Sequence, residues 1–317
     1  MPLKLGYLLP TRENIMRDEP SGRLLLEAAR EAAGLGFDSI WAGDSLLARP
    51  RHDPLSLLAA VAGAVPQVEV GTAVLLPALR NPFLLAQQLA TLDQVSDGRL
   101  IVGAGIAADT PGIRAEFAAA GVPFAGRVGR LMEGFRLCRA LWTGEPVDWE
   151  GRWQCREAVL APRPVRPGGP PIWLGAGVRA GIERTARHFD GWFPIGPDPE
   201  TFARRRALLH ETAISAGRDA AALSVAIYLT VAIDEDAARA EAAIDRYLEN
   251  YYGAPASALR RIQACFGGPS GAVTAFIRDF VTAGAGHVVL RLVGDHAAGL
   301  RILSERRGDL GEAPTAG

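Results

Sequence analysis

The chain has 317 residues, 49% of them apolar and 22% charged, an ordinary globular balance that can bury a large core. A formal net charge of −1 argues against non-selective binding to nucleic acid or to an anionic membrane. The three cysteines, Cys138, Cys155 and Cys265, are odd in number and contain no C-x-x-C pair, so neither a disulfide framework nor a metal site is expected.

From the N-terminus onward, short apolar runs alternate with Ala- and Leu-rich amphipathic stretches. The first run is strand-sized, shorter than a signal-peptide core, and no apolar segment is long enough to span a bilayer, so a cytoplasmic protein is expected. Strands are predicted at 3–9, 39–42, 68–75, 100–105, 172–174, 191–195, 224–233 and 287–292. Helices at 22–35, 54–64, 82–95, 127–142, 180–189, 199–216, 237–251 and 297–306 follow them in turn. Extra helices fall near 255–264 and 271–283, before the last strand. Pro54, Pro82 and Pro199 sit at helix starts, where a missing N–H costs nothing. Eight strands, each followed by a helix, predict an α/β fold of the (β/α)₈ barrel type over 1–307, with an open doubly wound sheet as the alternative. The Pro-, Gly- and Trp-rich stretch 144–169 reads as an insertion after the fourth strand, and the small polar residues 308–317 as a frayed tail. Trp142, Trp149 and Trp153 either line a lid over the barrel mouth or pack the insertion against the barrel.

Chemistry in such a barrel belongs to the loops after the C-terminal ends of the strands. The stretch "WAGDSLLARPRH" at 41–52 follows the second strand. Asp44, Ser45 and His52 are therefore candidate catalytic residues, with Arg49 and Arg51 on a loop able to fold over the mouth. Gly43-Asp44-Ser45-Leu46 also spells the signature of the GDSL esterases, whose serine is a nucleophile. That chemistry needs a base oriented by a carboxylate. None of the five histidines has an aspartate three residues before it, as the esterase pattern requires.

Two glycine-rich turns, "LIVGAGIAA" at 100–108 and "IWLGAGVRAG" at 172–181, fit G-x-G-x-x-A. Such glycines let backbone N–H groups approach an anion, and a helix starting just afterwards adds its positive end. The second turn runs straight into a helical stretch, whereas the first meets "DTPG" at 109–112. A phosphate is therefore expected at Gly175, Ala176, Gly177 and Val178, with Arg179 as a counter-charge. The alternative is that these glycines only permit tight βα turns.

The stretch "VEVGTAVLLPALRNPFLLAQQLATLDQVSDGRLIVGAG" at 68–105 resembles the most recognisable block of the bacterial luciferase-like flavin oxidoreductases. So do "AAGLGFDSIWAGDS", "RVGRLMEGFRLCRALWTGEPV" and "PPIWLGAGVRAGIERTARHFDGWFP". The resemblance implies a barrel that binds reduced FMN or the deazaflavin coenzyme F420 at its mouth. It sets the ring against Thr72, Ala73 and Val74, with Gly103, Gly105 and Ile106 bordering it and the phosphate on Gly175–Val178. It also implies a homodimer. Many relatives carry a histidine after the acidic residue that ends the second strand, where this chain has Ser45.

The leading expectation is a monooxygenase using reduced FMN from a separate flavin reductase to oxidise a small organic substrate. The alternative is an F420-dependent hydride-transfer enzyme, with Arg12, Arg49 and Arg51 serving that cofactor's acidic tail. A non-catalytic flavin-binding barrel is the third reading. Glu116, Arg127, Arg130 and Glu133 match charged positions of the family pattern and are expected to form structural ion pairs.

Overall fold

In the computed structural model, which describes residues 2–311, all eight predicted strands form and pair in parallel. In chain order the strands are β1 (Lys4–Leu8), β2 (Ser39–Ala42), β3 (Glu69–Thr72), β4 (Leu100–Ala104), β5 (Val147–Glu150), β6 (Gln154–Ala158), β7 (Ile172–Leu174), β8 (Gly191–Trp192), β9 (Ser224–Ile233), β10 (Cys265–Gly268) and β11 (His287–Val293). The order β1-β2-β3-β4-β7-β8-β9-β11 closes on itself through β8–β9 and β11–β1, which makes the predicted (β/α)₈ barrel. The helices are α1 (Thr11–Met16), α2 (Gly22–Gly34), α3 (Pro54–Ala64), α4 (Pro82–Val95), α5 (Pro111–Ala119), α6 (Arg127–Leu141), α7 (Arg179–His188), α8 (Pro199–Ser215), α9 (Ala237–Tyr252), α10 (Ala256–Arg260), α11 (Ser270–Thr282) and α12 (His296–Glu305).

Proline and caps set the helix starts together. Asp53, Asn81 and Asp198 accept N–H bonds from Ser56, Phe83 and Thr201 at the first turns of α3, α4 and α8, each beginning at a proline. Helices α1 and α5 were not predicted; they occupy the loops after β1 and β4, directly at the mouth.

Two expectations change. The 144–169 insertion is an antiparallel hairpin, β5–β6, packed on the flank of α6: Glu133 accepts from Arg152 N and pairs with its guanidinium at 3.1 Å. Trp142 is buried and donates to Ala86 O at 2.9 Å, so it belongs to the α4–α6 layer. The tail expected from 308 begins as a 3₁₀ turn, Arg307–Leu310, with Leu310 buried in the core; 312–317 lie outside the described residues.

The barrel interior is aromatic. Leu8, Trp41, Ile101, Trp173, Phe193, Ala226, Tyr228 and Val289 form one cluster there. Glycines on the adjoining strands make the room: a β-carbon at Gly71 would stand 2.4 Å from Trp41 Cε3, and one at Gly191 2.4 Å from Trp173 Cδ1. Beneath, Trp41 Nε1 donates to Ser39 Oγ at 2.7 Å, and Ser39 Oγ shares a hydrogen bond with His287 Nε2 at 2.7 Å. Burial, then the nearby Lys4, lowers the His287 pKa from 6.5 to about 3.

A depressed folded-state pKa means that the unfolded chain takes up the proton first as pH falls. His287 therefore adds stability above pH 6.5 and loses it between there and about pH 3. Urea unfolding at stepped pH is expected to lose about 1.4 kcal/mol per pH unit from this group across that window. A His287→Gln variant should show a shallower loss; an unchanged slope would refute the assignment.

Candidate active site at the barrel mouth

The ends of β3, β4 and β7 build a flat shelf. Thr72 Oγ1 donates to Gly103 O at 2.8 Å and is fully buried, so it pins two strands together. The Ala73–Val74 peptide is cis, after which Leu75 rejoins the sheet by donating to Gly103 O at 2.7 Å. Side-chain-free positions then clear the surface. A β-carbon at Gly103 would stand 2.1 Å from Thr72 O, and one at Gly105 2.6 Å from Val74 Cγ2. Gly175 adjoins both Val74 and the Phe193 carbonyl. Ala73 and Val74 pack on the aromatic cluster below and leave an apolar step that fits a planar ring.

The loop after β2 is organised differently from the sequence expectation. The Asp44 carboxylate accepts from Leu76 N at 2.8 Å and from Arg80 through both Nη atoms, the Nη2 bond being 3.1 Å. Burial works against the Arg80 charge, but the facing Asp44 more than offsets it and raises the pKa. Asp44 thus ties the loop after β2 to the segment after β3. Ser45 is buried and donates to Glu116 Oε2 at 2.8 Å, while the same oxygen accepts from Leu47 N and Ala48 N. His52 meets Pro20 O through Nε2 at 3.0 Å. The three candidate catalytic side chains are thus engaged by the scaffold and do not converge on one point. The esterase reading fails here, because Ser45 Oγ meets a carboxylate and no imidazole.

Of the four charged family positions, Glu133 makes an ion pair. Glu116 anchors the 45–48 loop, Arg127 Nε donates to Ile106 O and Ala107 O, and Arg130 Nε donates to Ala78 O. The loop carrying Ile106 is therefore held from α6.

The turn 175–178 is the clearest anion cradle. Gly175 N is taken by Ala104 O, whereas the N–H groups of Gly177, Val178, Arg179 and Ala180 have no partner among the described residues. They stand at the start of α7, where the helix dipole adds positive potential. Arg179 points elsewhere, pairing with Glu183 at 2.8 Å on the exposed side of α7. Arg205 takes its place: its Nη1 lies 3.8 Å from where a β-carbon at Gly177 would be, and donates to Gly196 O. Arg205 sits on α8, and no local motif marks it.

A second charged group was also missed. Arg291, buried on the last barrel strand, lies over the rings of Tyr251 at 4.5 Å and Tyr228 at 4.8 Å and donates to Tyr252 OH at 3.0 Å. Arg12 and Arg51 face the Tyr251 ring and Arg49 the Tyr252 ring, at 5.1, 5.6 and 4.9 Å. Arg51 lies across Gly43 at the end of β2. None of these four arginines forms an ion pair among the described residues. Burial, and then Arg51 and Arg49 against the help of Tyr251, lowers the Arg12 pKa. The Tyr228 hydroxyl, Gln263 Oε1, Arg12 Nε and Arg291 Nε are buried without a partner. The signal was present in "HVVLRLV", one charge inside an apolar strand.

Among the described residues no group of His, Cys, Asp and Glu could hold a metal ion, and no helix is long and apolar enough to cross a membrane.

A parallel barrel whose mouth carries a turn of unpartnered N–H groups after its fifth strand and an apolar shelf across its third and fourth has the architecture of an enzyme site. The profile of the luciferase-like monooxygenase family matches residues 3–266, and the chain belongs to that family of oxidoreductases. It is 31% identical over 242 residues to the F420-dependent glucose-6-phosphate dehydrogenase of Mycolicibacterium smegmatis (strain ATCC 700084 / mc(2)155), covering 74% of this chain and 70% of that one. It is 33% identical over 200 residues to the enzyme of the same name from Amycolatopsis mediterranei (strain U-32), a match that covers 60% of this chain and 56% of that one. Among solved structures, an F420-dependent secondary alcohol dehydrogenase in complex with an F420-acetone adduct superposes with a TM-score of 0.84 at 20% identity over 98% of this chain and 100% of that one. The EDTA monooxygenase of Chelativorans sp. BNC1 gives 0.81 at 18% over 100% and 96%.

Proposed function

We propose that this chain is a coenzyme F420-dependent oxidoreductase that transfers hydride between the deazaflavin and a small anionic organic substrate. The observation that carries this reading is the set of unpaired arginines, 12, 49, 51 and 291, gathered on tyrosine faces at one side of the mouth. Arg291 is buried and the other three are half-buried; a buried cation without a carboxylate partner is costly, and an incoming anion supplies what it lacks. The names of the 31–33% identical relatives agree with it, and glucose 6-phosphate, the substrate those names give, is an anion of the kind required.

The shelf of Ala73 and Val74, bordered by Gly103, Gly105 and Ile106, would carry the ring. The N–H groups from Gly177 onward, with Arg205, would take the phosphate. The bound deazaflavin supplies two-electron hydride chemistry. Burial keeps the Tyr228 phenol protonated by pushing its pKa well above the ordinary value, so its hydroxyl is a donor for a substrate oxygen. Arg291 beside it holds the substrate's anionic group. Tyr228 would thus orient the substrate oxygen through a hydrogen bond, while Asp44 and Ser45 serve as struts.

An FMN-dependent monooxygenase with a separate reductase is the second reading, favoured by the apolar shelf over Trp41, Trp173 and Phe193, which suits exclusion of water. Side-by-side equilibrium titration with F420 and FMN, each oxidised and reduced, separates the two. A Gly177→Asp variant sharpens the test. Its side chain has space, yet it sets a carboxylate among donors meant for phosphate, so F420 affinity should fall about 100-fold or more. Preference for reduced FMN would overturn the hydride-transfer reading in favour of the monooxygenase. Binding without turnover of glucose 6-phosphate or other anionic alcohols would favour an inert barrel.

A further inference from the structure

The base of the barrel, opposite the mouth, holds a second concentration of positive charge. Met132, Phe135, Arg136 and Arg139 share one face of α6, Arg187 and His188 end α7, and Arg218 follows α8; with Phe189 they line an open cleft of about 210 Å³. Phe135 and Phe189, both buried, form its apolar floor, their rings edge to face at 6.2 Å.

Helix capping accounts for part of this charge. Arg139 Nη1 donates to His188 O at 3.0 Å and Arg218 Nη1 to Ala186 O at 2.6 Å, answering the carbonyls at the negative end of α7. Arg139 also pairs with Asp190 at 2.8 Å. It does not account for Arg136 and Arg187, which line the same cleft and have no ion pair or hydrogen bond among the described residues. The convergence shows in His188. Burial first, then Arg187, Arg218, Arg136 and Arg184, all push its pKa down. Among the described residues Asp190 is the one carboxylate that pairs with any of these groups. Arg136, Arg187 and His188 are exposed, so water screens their mutual repulsion in part, and an anion among them would relieve the rest.

We propose that this basal cleft binds a small phosphate or pyrophosphate ester, at a site separate from the mouth. Arg136, Arg187 and His188 meet the phosphoryl oxygens, and the phenylalanine floor takes the carbon skeleton. The volume, about seven times the share of one water in the liquid, suits a phosphorylated metabolite of sugar size. An anion there also favours the charged form of His188, so binding raises the proton affinity of that ring.

The test uses the full chain carrying Gly177→Asp, which blocks the turn at the mouth, titrated with inorganic pyrophosphate by calorimetry and by the His188 ring resonances. Whether the mouth binds phosphate or not, the basal readout stands apart, because His188 lies at the other end of the barrel. Saturable binding with one ligand per chain and a raised His188 pKa is the expected result. Arg136→Glu/Arg187→Glu, at two exposed positions, should weaken it at least about tenfold. Arg246→Glu/Arg278→Glu makes the same change in net charge elsewhere and should move the affinity less than about twofold. Equal loss in both doubles, or no saturable binding, would overturn the proposal.

Discussion

Replacing Arg291 with methionine is expected to leave the barrel as stable as before, or more so, while turnover of an anionic substrate falls about 100-fold or more. The two effects separate because the guanidinium is buried among tyrosines with no carboxylate. Its desolvation cost is met only by ring faces and the Tyr252 hydroxyl, and methionine fills similar volume without that cost. Tyr228, Tyr251 and Tyr252 keep their apolar contacts. Thermal unfolding and steady-state kinetics on the same preparation check it. A midpoint lowered by more than about 10 °C would mean a loss of several kcal/mol and would make Arg291 a structural residue. Loss of kcat/KM at an unchanged midpoint would tie the cation to substrate.

Asp44 should behave in the opposite way. Asp44→Ala removes the closer of two carboxylate partners of Arg80, leaving Asp53 at 3.3 Å, together with an acceptor of Leu76 N, and the expected cost is about 1–3 kcal/mol. Cofactor affinity should fall with it, because the same carboxylate fixes the segment that follows the Ala73–Val74 peptide. Asp44→Asn isolates the charge: it keeps an oxygen for Leu76 N and gives up the ion pair, so its loss should be intermediate. Denaturant unfolding of both variants, with F420 titration in native buffer, reads the two effects. If Asp44→Ala keeps full stability yet loses turnover, the aspartate is chemical after all and not a strut.

These two residues also mark what was legible in the sequence. Prolines, caps and strand-sized apolar runs act over a few residues, so the barrel and its helix starts could be read directly. The turn at 175–178 was equally local, since glycines followed by a helix carry their own physics. Side-chain direction was not local. Asp44 and Ser45 looked like mouth residues because they follow a strand, but Arg80 and Glu116, 36 and 71 residues further on, claim them. Arg205 was invisible for the same reason, being set beside Gly177 by the packing of α8. The hairpin of 147–158 went unread because its alternation is interrupted by a register shift between Val147 and Trp149. Arg291 was different: a lone charge in an apolar strand was there to be weighed.

The tryptophans inside the barrel have a practical consequence. Trp41 and Trp173 lie 5.7 Å apart between ring centroids, in the same cluster as Ala73 and Val74. Trp142, Trp149 and Trp153 belong to the flank of α6, and Trp192 stacks outward on Phe202. A chromophore resting on Ala73 and Val74 would lie close to these two indoles and draw off their excitation. The barrel thus carries its own optical gauge of occupancy, readable as native emission without a label.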